Sequence, residues 1–313
     1  MGWKITMRLF RFFIITNFIL GYTIAYSQKE KIYTIHDFDL NENVKSCLVS
    51  TTYGKEEFYF DERGRLTKQV TRHNEKDYDI TYYKYVNGEI IEKRFENYRN
   101  AIFDKNTSIA NMYAVDTVAR KVTEQILTYN KEFLDQYEYT YDADQRLIHI
   151  KRNNANGIEQ TIVAYTNHKG ESTTTYTKND ALQKSVRVSK KIVNNKNIRI
   201  VLTKEYLEGI PETASEQIVD IETNKVLTEN KFVYDTIVNS FVAEKTVNYA
   251  YNDKGMLTEI KTTKNKQVSS QNFIYQYDNG ENGNWVKKII TPDNTYITRK
   301  IAYYKKDELT EAE

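Results

Sequence analysis

One short phrase recurs along the chain. Phe58-Tyr59-Phe60-Asp61-Glu62-Arg63-Gly64-Arg65-Leu66-Thr67 returns as Tyr139-Thr140-Tyr141-Asp142-Ala143-Asp144-Gln145-Arg146-Leu147-Ile148, and again as Tyr249-Ala250-Tyr251-Asn252-Asp253-Lys254-Gly255-Met256-Leu257-Thr258. Taking the residue before each turn as a marker, clear copies stand at Phe60, Tyr85, Tyr141, Tyr251 and Tyr277, spaced by 25, 56, 110 and 26 residues. These gaps are close to multiples of about 27, the size range of structural repeats that must lean on their neighbours to bury an apolar face. The same period places weaker copies at Tyr113–Asp116, Tyr165–Gly170, Val193–Lys196 and Asp220–Lys225.

Each copy has the logic of a β-hairpin. Tyr137, Tyr139 and Tyr141 alternate, and so fall on one strand face. Asp61, Asp142, Asn252 or Asp278 then opens a turn by bonding its own backbone downstream, and Gly64, Gly255 or Gly283 closes it with positive φ. Asn87-Gly88 is the shorter, two-residue version. Gln145 stands where its cassette otherwise carries glycine, and the Asp278–Asn284 loop holds two extra residues, so it should protrude. The expected fold is all-β: an elongated, curved antiparallel sheet of about eight or nine hairpins, preceded by a signal-peptide helix. Ile109 to Ile126 could be drawn as an amphipathic helix, but its β-branched residues and the repeat period favour strand.

Residues 1–27 read as a secretory signal peptide. Lys4, Arg8 and Arg11 precede an apolar run from Phe12 to Ala25, and Ala25-Tyr26-Ser27 is a small-x-small cleavage site. The run is shorter than the roughly 20 residues of a spanning helix. Residues 28–313 then form a single repeat domain, exported to the periplasm or beyond the cell. An interruption is expected at 208–216, where Pro211 removes a ladder donor.

Tyr-Asp-x-x-Gly followed by Leu-Thr resembles the YD repeat of the Rhs family, best in Phe60–Thr67 and Tyr251–Thr258. Gly283-Asn284-Trp285 and Thr298-Arg299-Lys300-Ile301-Ala302-Tyr303 resemble the terminal pattern of small exported YD-repeat proteins. The resemblance implies a long β-sheet that winds into a shell, and an association with carbohydrate binding. It implies no catalytic residues.

Composition narrows the function. The chain has 45 basic and 43 acidic residues, and loss of the leader takes the net charge from +2 to −1, leaving no electrostatic footprint for nucleic acid. It has 26 tyrosines, 13 phenylalanines and 2 prolines, with a mean hydropathy of −0.70. Such a polar, aromatic chain suits half-solvated strands. Cys47 stands alone, so no internal disulfide can form, and it reads as a half-buried strand residue. His36, His73, His149 and His168 lack paired spacing, and no metal site or cofactor is expected. Asp37-Phe38-Asp39-Leu40-Asn41 matches the start of a calcium loop, but Glu42 and Leu48 occupy the positions that need glycine and a bidentate acid.

The aromatic rows are the functional lead. Exposed tyrosines on a regular sheet could stack on sugars or close a protein interface; cross-strand packing is the competing use. The expectation is a noncatalytic exported protein with a binding or scaffolding surface for a protein or glycan partner, and no membrane span after signal cleavage. A carbohydrate-binding module using Trp285, Tyr275, Tyr277 and Tyr303 is the alternative, and an envelope hydrolase with two converging carboxylates a third.

Overall fold

The computed structural model describes residues 30–278 and 283–305. The expected signal helix and the tip of the Asp278–Asn284 loop lie outside the described residues. A 3-10 turn, Ile35–Phe38, precedes twenty strands. The first ten are β1 (Val44–Ser50), β2 (Lys55–Phe60), β3 (Leu66–Arg72), β4 (Tyr78–Val86), β5 (Glu89–Arg99), β6 (Ile102–Asp116), β7 (Lys121–Thr128), β8 (Phe133–Tyr141), β9 (Leu147–Asn154) and β10 (Gly157–His168). Then follow β11 (Glu171–Lys178), β12 (Ala181–Val193), β13 (Lys196–Leu207), β14 (Ile210–Asp220) and β15 (Val226–Asp235). The last are β16 (Ser240–Tyr251), β17 (Leu257–Lys264), β18 (Gln267–Tyr277), β19 (Trp285–Thr291) and β20 (Thr295–Tyr303).

Every strand pairs antiparallel with the next, and β20 pairs with β1 through Ser46↔Ala302, Leu48↔Lys300 and Ser50↔Thr298. The sheet is therefore a closed twenty-stranded barrel, which corrects the open curved sheet expected from the repeats. Closure leaves no edge, and an edge is the hazard that a long open array must otherwise cover. Ile109 to Ile126 is strand, turn and strand, as its β-branching suggests.

The repeat phrase forms the turns at one end of the barrel. In the first copy the Gly64 N–H donates to the Asp61 carbonyl (2.8 Å) and the Asp61 N–H to the Arg65 carbonyl (2.9 Å). Asp61 Oδ1 accepts the Arg63 and Arg65 N–H groups, at 3.0 and 2.9 Å, while Oδ2 holds the Arg65 guanidinium at 2.7 Å. Asp142 repeats this set on Asp144 and Arg146, and Asn252 repeats its backbone part. The register then slips by one residue at Tyr59/Phe60, Thr140/Tyr141 and Ala250/Tyr251, so each aromatic before a turn opposes the leucine after it. This is a turn closed by a left-handed residue and a bulge. Gly64 and Gly255 supply that conformation at φ 73; Gln145 adopts it at φ 59 with a side chain attached.

Tyrosines stitch neighbouring hairpins together at this end. Tyr85 donates its hydroxyl to the Leu66 carbonyl (2.7 Å), Tyr165 to that of Leu147 (2.8 Å), Tyr275 to that of Leu257 (2.8 Å) and Tyr251 to that of Val226 (2.9 Å). Arg65 covers the Tyr85 ring and Arg146 the Tyr165 ring, at 4.7 and 5.0 Å. Leucine and tyrosine stand 18 or 19 residues apart in three of these bonds, so each links the strand after one turn to a strand of the next hairpin.

The stretch 208–216 is no interruption. Glu208 and Gly209 form a tight turn with positive φ, and β14 runs on through Pro211. A register shift at Glu205/Tyr206 sets Pro211 opposite Tyr206, and a bulge tolerates a missing ladder donor.

Candidate functional site

Residues 30–43 run along the inside of the barrel at the turn end. Phe38 meets Phe58 and Phe60 at ring distances of 4.5 and 5.5 Å, Tyr33 meets Tyr83 at 6.4 Å, and Lys93 bonds Glu30 at 2.8 Å. Across the β1–β20 seam, Arg299 donates to the Phe38 carbonyl (2.7 Å) and the Asp39 carbonyl (3.3 Å). Asn284 accepts from the Asn41 N–H (2.7 Å) and donates to the Asn41 carbonyl (3.0 Å). A segment this short reaches both flanks of the seam from the concave side. The faces bearing Phe58, Phe60, Tyr83 and Tyr113 therefore point into the lumen, while Tyr59, Tyr78, Tyr82 and Tyr98 lie on the outward face.

The segment covers the seam side of that end. Ile35, Leu40, Val44, Cys47, Phe58, Phe60, Leu66, Tyr83 and Ile90 form one enclosed cluster, with Tyr113 and Tyr303 packed at its border. Cys47 is fully buried, not half-buried, and desolvation raises its thiol pKa despite nearby Arg299.

The four residues singled out as ligand platforms come together here, but enclosed. Trp285 is 4% exposed and meets Tyr275 edge-on at 5.8 Å; Tyr277 lies 6.5 Å from Tyr275 and opposite Trp285 in the ladder. Tyr303 donates to Asp278 (2.5 Å) and accepts from Asn284 (3.0 Å), and burial first, then Asp278, pushes its pKa up to about 12. Arg299 lies over the indole, its guanidinium carbon 3.5 Å from the ring centroid. Trp285 thus has no free face for a sugar.

The residues that sequence reasoning missed are the cations beside Trp285. Burial lowers Arg299 to about 10, which still leaves it charged at neutral pH. The Lys288 ammonium sits 5.4 Å from the Trp285 ring and 5.6 Å from Phe273, and its pKa is lowered by desolvation and then by Arg299. The alternation Lys288, Ile290 against Ile297, Arg299, Ile301 was visible, but neither the inward face nor the register shift that brings Trp285 beside Lys288 was.

Farther from the plug, the inner wall is polar. Glu124 accepts from Asn111, Tyr113 and Tyr139 at 2.6, 3.0 and 3.1 Å, and Tyr249 donates to Glu229 at 3.3 Å. Asp135, Arg152, Glu159 and Lys178 form an ion-pair ladder across β8 to β11, with contacts of 2.6, 3.4 and 2.7 Å. Lys184 and Glu205 continue it at 3.4 Å, and the Glu205 side chain is 45% exposed. Water reaches this wall, in keeping with twenty strands enclosing more space than side chains fill. On β15 to β17, Lys231, Lys245 and Lys264 stand directly opposite one another, with Glu244 bonded to Lys264 at 2.8 Å.

Polar and charged rows mark much of the outward face, beside apolar side chains such as Ile162, Ile274 and Tyr296. Tyr59, Lys68, Tyr82 and Arg94 form one cross-strand row, Glu138, Lys151 and Gln160 another, and Asn248 with Lys261 a third. Among the described residues no helix is long and apolar enough to cross a membrane. A shallow depression of about 490 Å³ at the turn end is lined by Asp61, Arg63, Arg65, Tyr85 and Tyr304, where Asp61 and Arg65 already neutralise each other.

No family model and no curated protein matches the chain. Solved structures with some similarity include a porin-like protein from Bacteroides uniformis, at 8% identity and a TM-score of 0.31, covering 83% of this chain and 98% of that one. A porin-like protein from Bacteroides vulgatus has 10% identity and a TM-score of 0.26, covering 84% and 99%. A Bacteroides fragilis protein of unknown function has 9% identity and a TM-score of 0.19, covering 54% and 91%. At scores this low, none of the three assigns an activity to this chain.

Proposed function

We propose that this is an exported, noncatalytic binding protein that works in water outside the cytoplasm and receives a protein or glycan ligand on the inner wall of its barrel. One observation carries the reading: the outward face bears Lys68, Arg94, Glu138, Lys151 and Lys261 around the circumference, while Tyr113, Tyr137, Tyr139, Tyr176 and Tyr249 turn inward. A bilayer-spanning barrel needs an outward apolar band about 25 Å tall, and each midplane lysine or arginine costs about 2–4 kcal/mol. Polar rows of this kind suit water. Inside, half-buried tyrosines beside carboxylates offer rings and acceptors together, the chemistry of a wet binding surface. The carbohydrate reading moves with them, away from Trp285 and toward wall residues such as Tyr137 and Tyr176.

Photo-crosslinking amino acids placed inward at Thr161 or Tyr176, and outward at Gln160 or Thr177, test this in cells that express the protein. Crosslinks to a partner from the inward pair are the expected result. Crosslinks from the outward pair alone would make the outer wall the working surface, and detergent-phase partitioning of the intact protein would overturn the aqueous reading.

A further inference from the structure

Buried donors gather on the inner wall of β19 and β20 without matching acceptors. Trp285 Nε1 and Arg299 Nε are both enclosed and neither has a hydrogen-bond partner. The Lys288 ammonium lies between the Trp285 and Phe273 rings. Arg299 spends its two terminal nitrogens on the carbonyls of Phe38 and Asp39, which bring no full negative charge. Neither cation has a carboxylate within ion-pair distance among the described residues, in a place where buried charge is costly unless paired.

We propose that Lys288 and Arg299, with the Trp285 indole N–H, form an anion-binding site that takes a carboxylate or phosphate group of a ligand entering the lumen. Aligned N–H donors and two positive charges are what such an oxygen cluster needs, and charge-assisted bonds are roughly twice as strong as neutral ones. The approach is provided for. Lys231, Lys245 and Lys264 occupy cross-strand positions on the same inner wall, nearer the opposite end. Glu244 and Glu229 pair with Lys264 and Lys231, which leaves one net positive charge in the row to draw anions inward. The site rests on the lumen-binding reading given above but is tested apart from it.

The test is titration of the full chain with sodium phosphate and, separately, sodium acetate at constant ionic strength. The Trp285 Nε1–H resonance is followed in ¹⁵N–¹H spectra and assigned by its loss in Trp285→Phe. A saturable shift is expected, weakened at least tenfold in Lys288→Met, a change that keeps volume and removes a buried charge. Lys264→Met should weaken binding by less than threefold and reduce its salt dependence. Whichever of the two anions binds more tightly identifies the ligand group. Absence of a saturable shift with either, or equal affinity in Lys288→Met with the indole resonance intact, would overturn the site. Inward crosslinks obtained without an anion effect would leave lumen binding standing while removing this site.

Discussion

On the seam side of the barrel, Leu40, Val44, Cys47, Phe58 and Phe60 are closed over by residues 30–43, whereas the wall from β9 to β13 sets Arg152, Glu159, Lys178, Lys184 and Glu205 in solvent-accessible ion pairs. Both walls come from the same hairpin repeat. Burial of a large apolar side chain is worth about 1.5–3 kcal/mol, and an exposed ion pair about 0–1 kcal/mol. The enclosed side should therefore carry the stability, while the exposed side leaves its wall open to water. The repeat builds the cylinder, and one non-repeated segment makes its two sides unequal.

That inequality can be broken in order of size. Leu40→Ala, at a side chain with 0% exposure, should cost about 2–5 kcal/mol in urea unfolding through the lost contacts and the cavity. Ile162→Ala, outward on the opposite side and 53% exposed, should change stability by less than about 0.5 kcal/mol. Equal effects would show that the segment does not hold the seam. Asn284→Ala strands both backbone groups of Asn41 and removes the donor to the Tyr303 hydroxyl, and should cost about 2–3 kcal/mol by the same measurement.

Gln145→Gly sharpens the comparison between copies of the turn. It relieves a left-handed side-chain conformation and should stabilise by about 0.5–1 kcal/mol in thermal unfolding; Gly64→Gln should destabilise. The smallest effect concerns pH. Hydrogen bonds from Arg146, its side chain first and then its backbone, hold the Asp142 carboxyl below its ordinary range. The unfolded chain then binds the proton first, so this contribution is full above the ordinary aspartate pKa and is lost as pH falls through the lower folded value. Asp142→Asn, the residue type that Asn252 already supplies, should flatten that part of the acid-unfolding curve. An unchanged slope would show that the turn does not feel the charge.

Much of the wall was legible because its information is local. Alternation fixes which residues share a strand face, and Asp61, Asp142, Asn252 and the left-handed residues mark each reversal. The weaker copies at Asp220–Lys225 and Val193–Lys196 also fall at turns of the same end. Pro211 misled because a proline in a strand normally marks a break, and a bulge set by its neighbour Tyr206 absorbs it. Trp285 misled because its enclosure is made by Tyr275 and Arg299, the latter held by the Phe38 and Asp39 carbonyls far away in sequence.

By itself, then, the sequence determined the hairpins, their turns and the tyrosine pegs between them, since each depends on residues within about one repeat of one another. The tertiary structure decided that β20 meets β1, which strand face turns inward, and that residues 30–43 close over the seam side. Those outcomes depend on twist summed over twenty strands and on contacts that span the chain from Asn41 to Asn284, and no local pattern encodes such a sum.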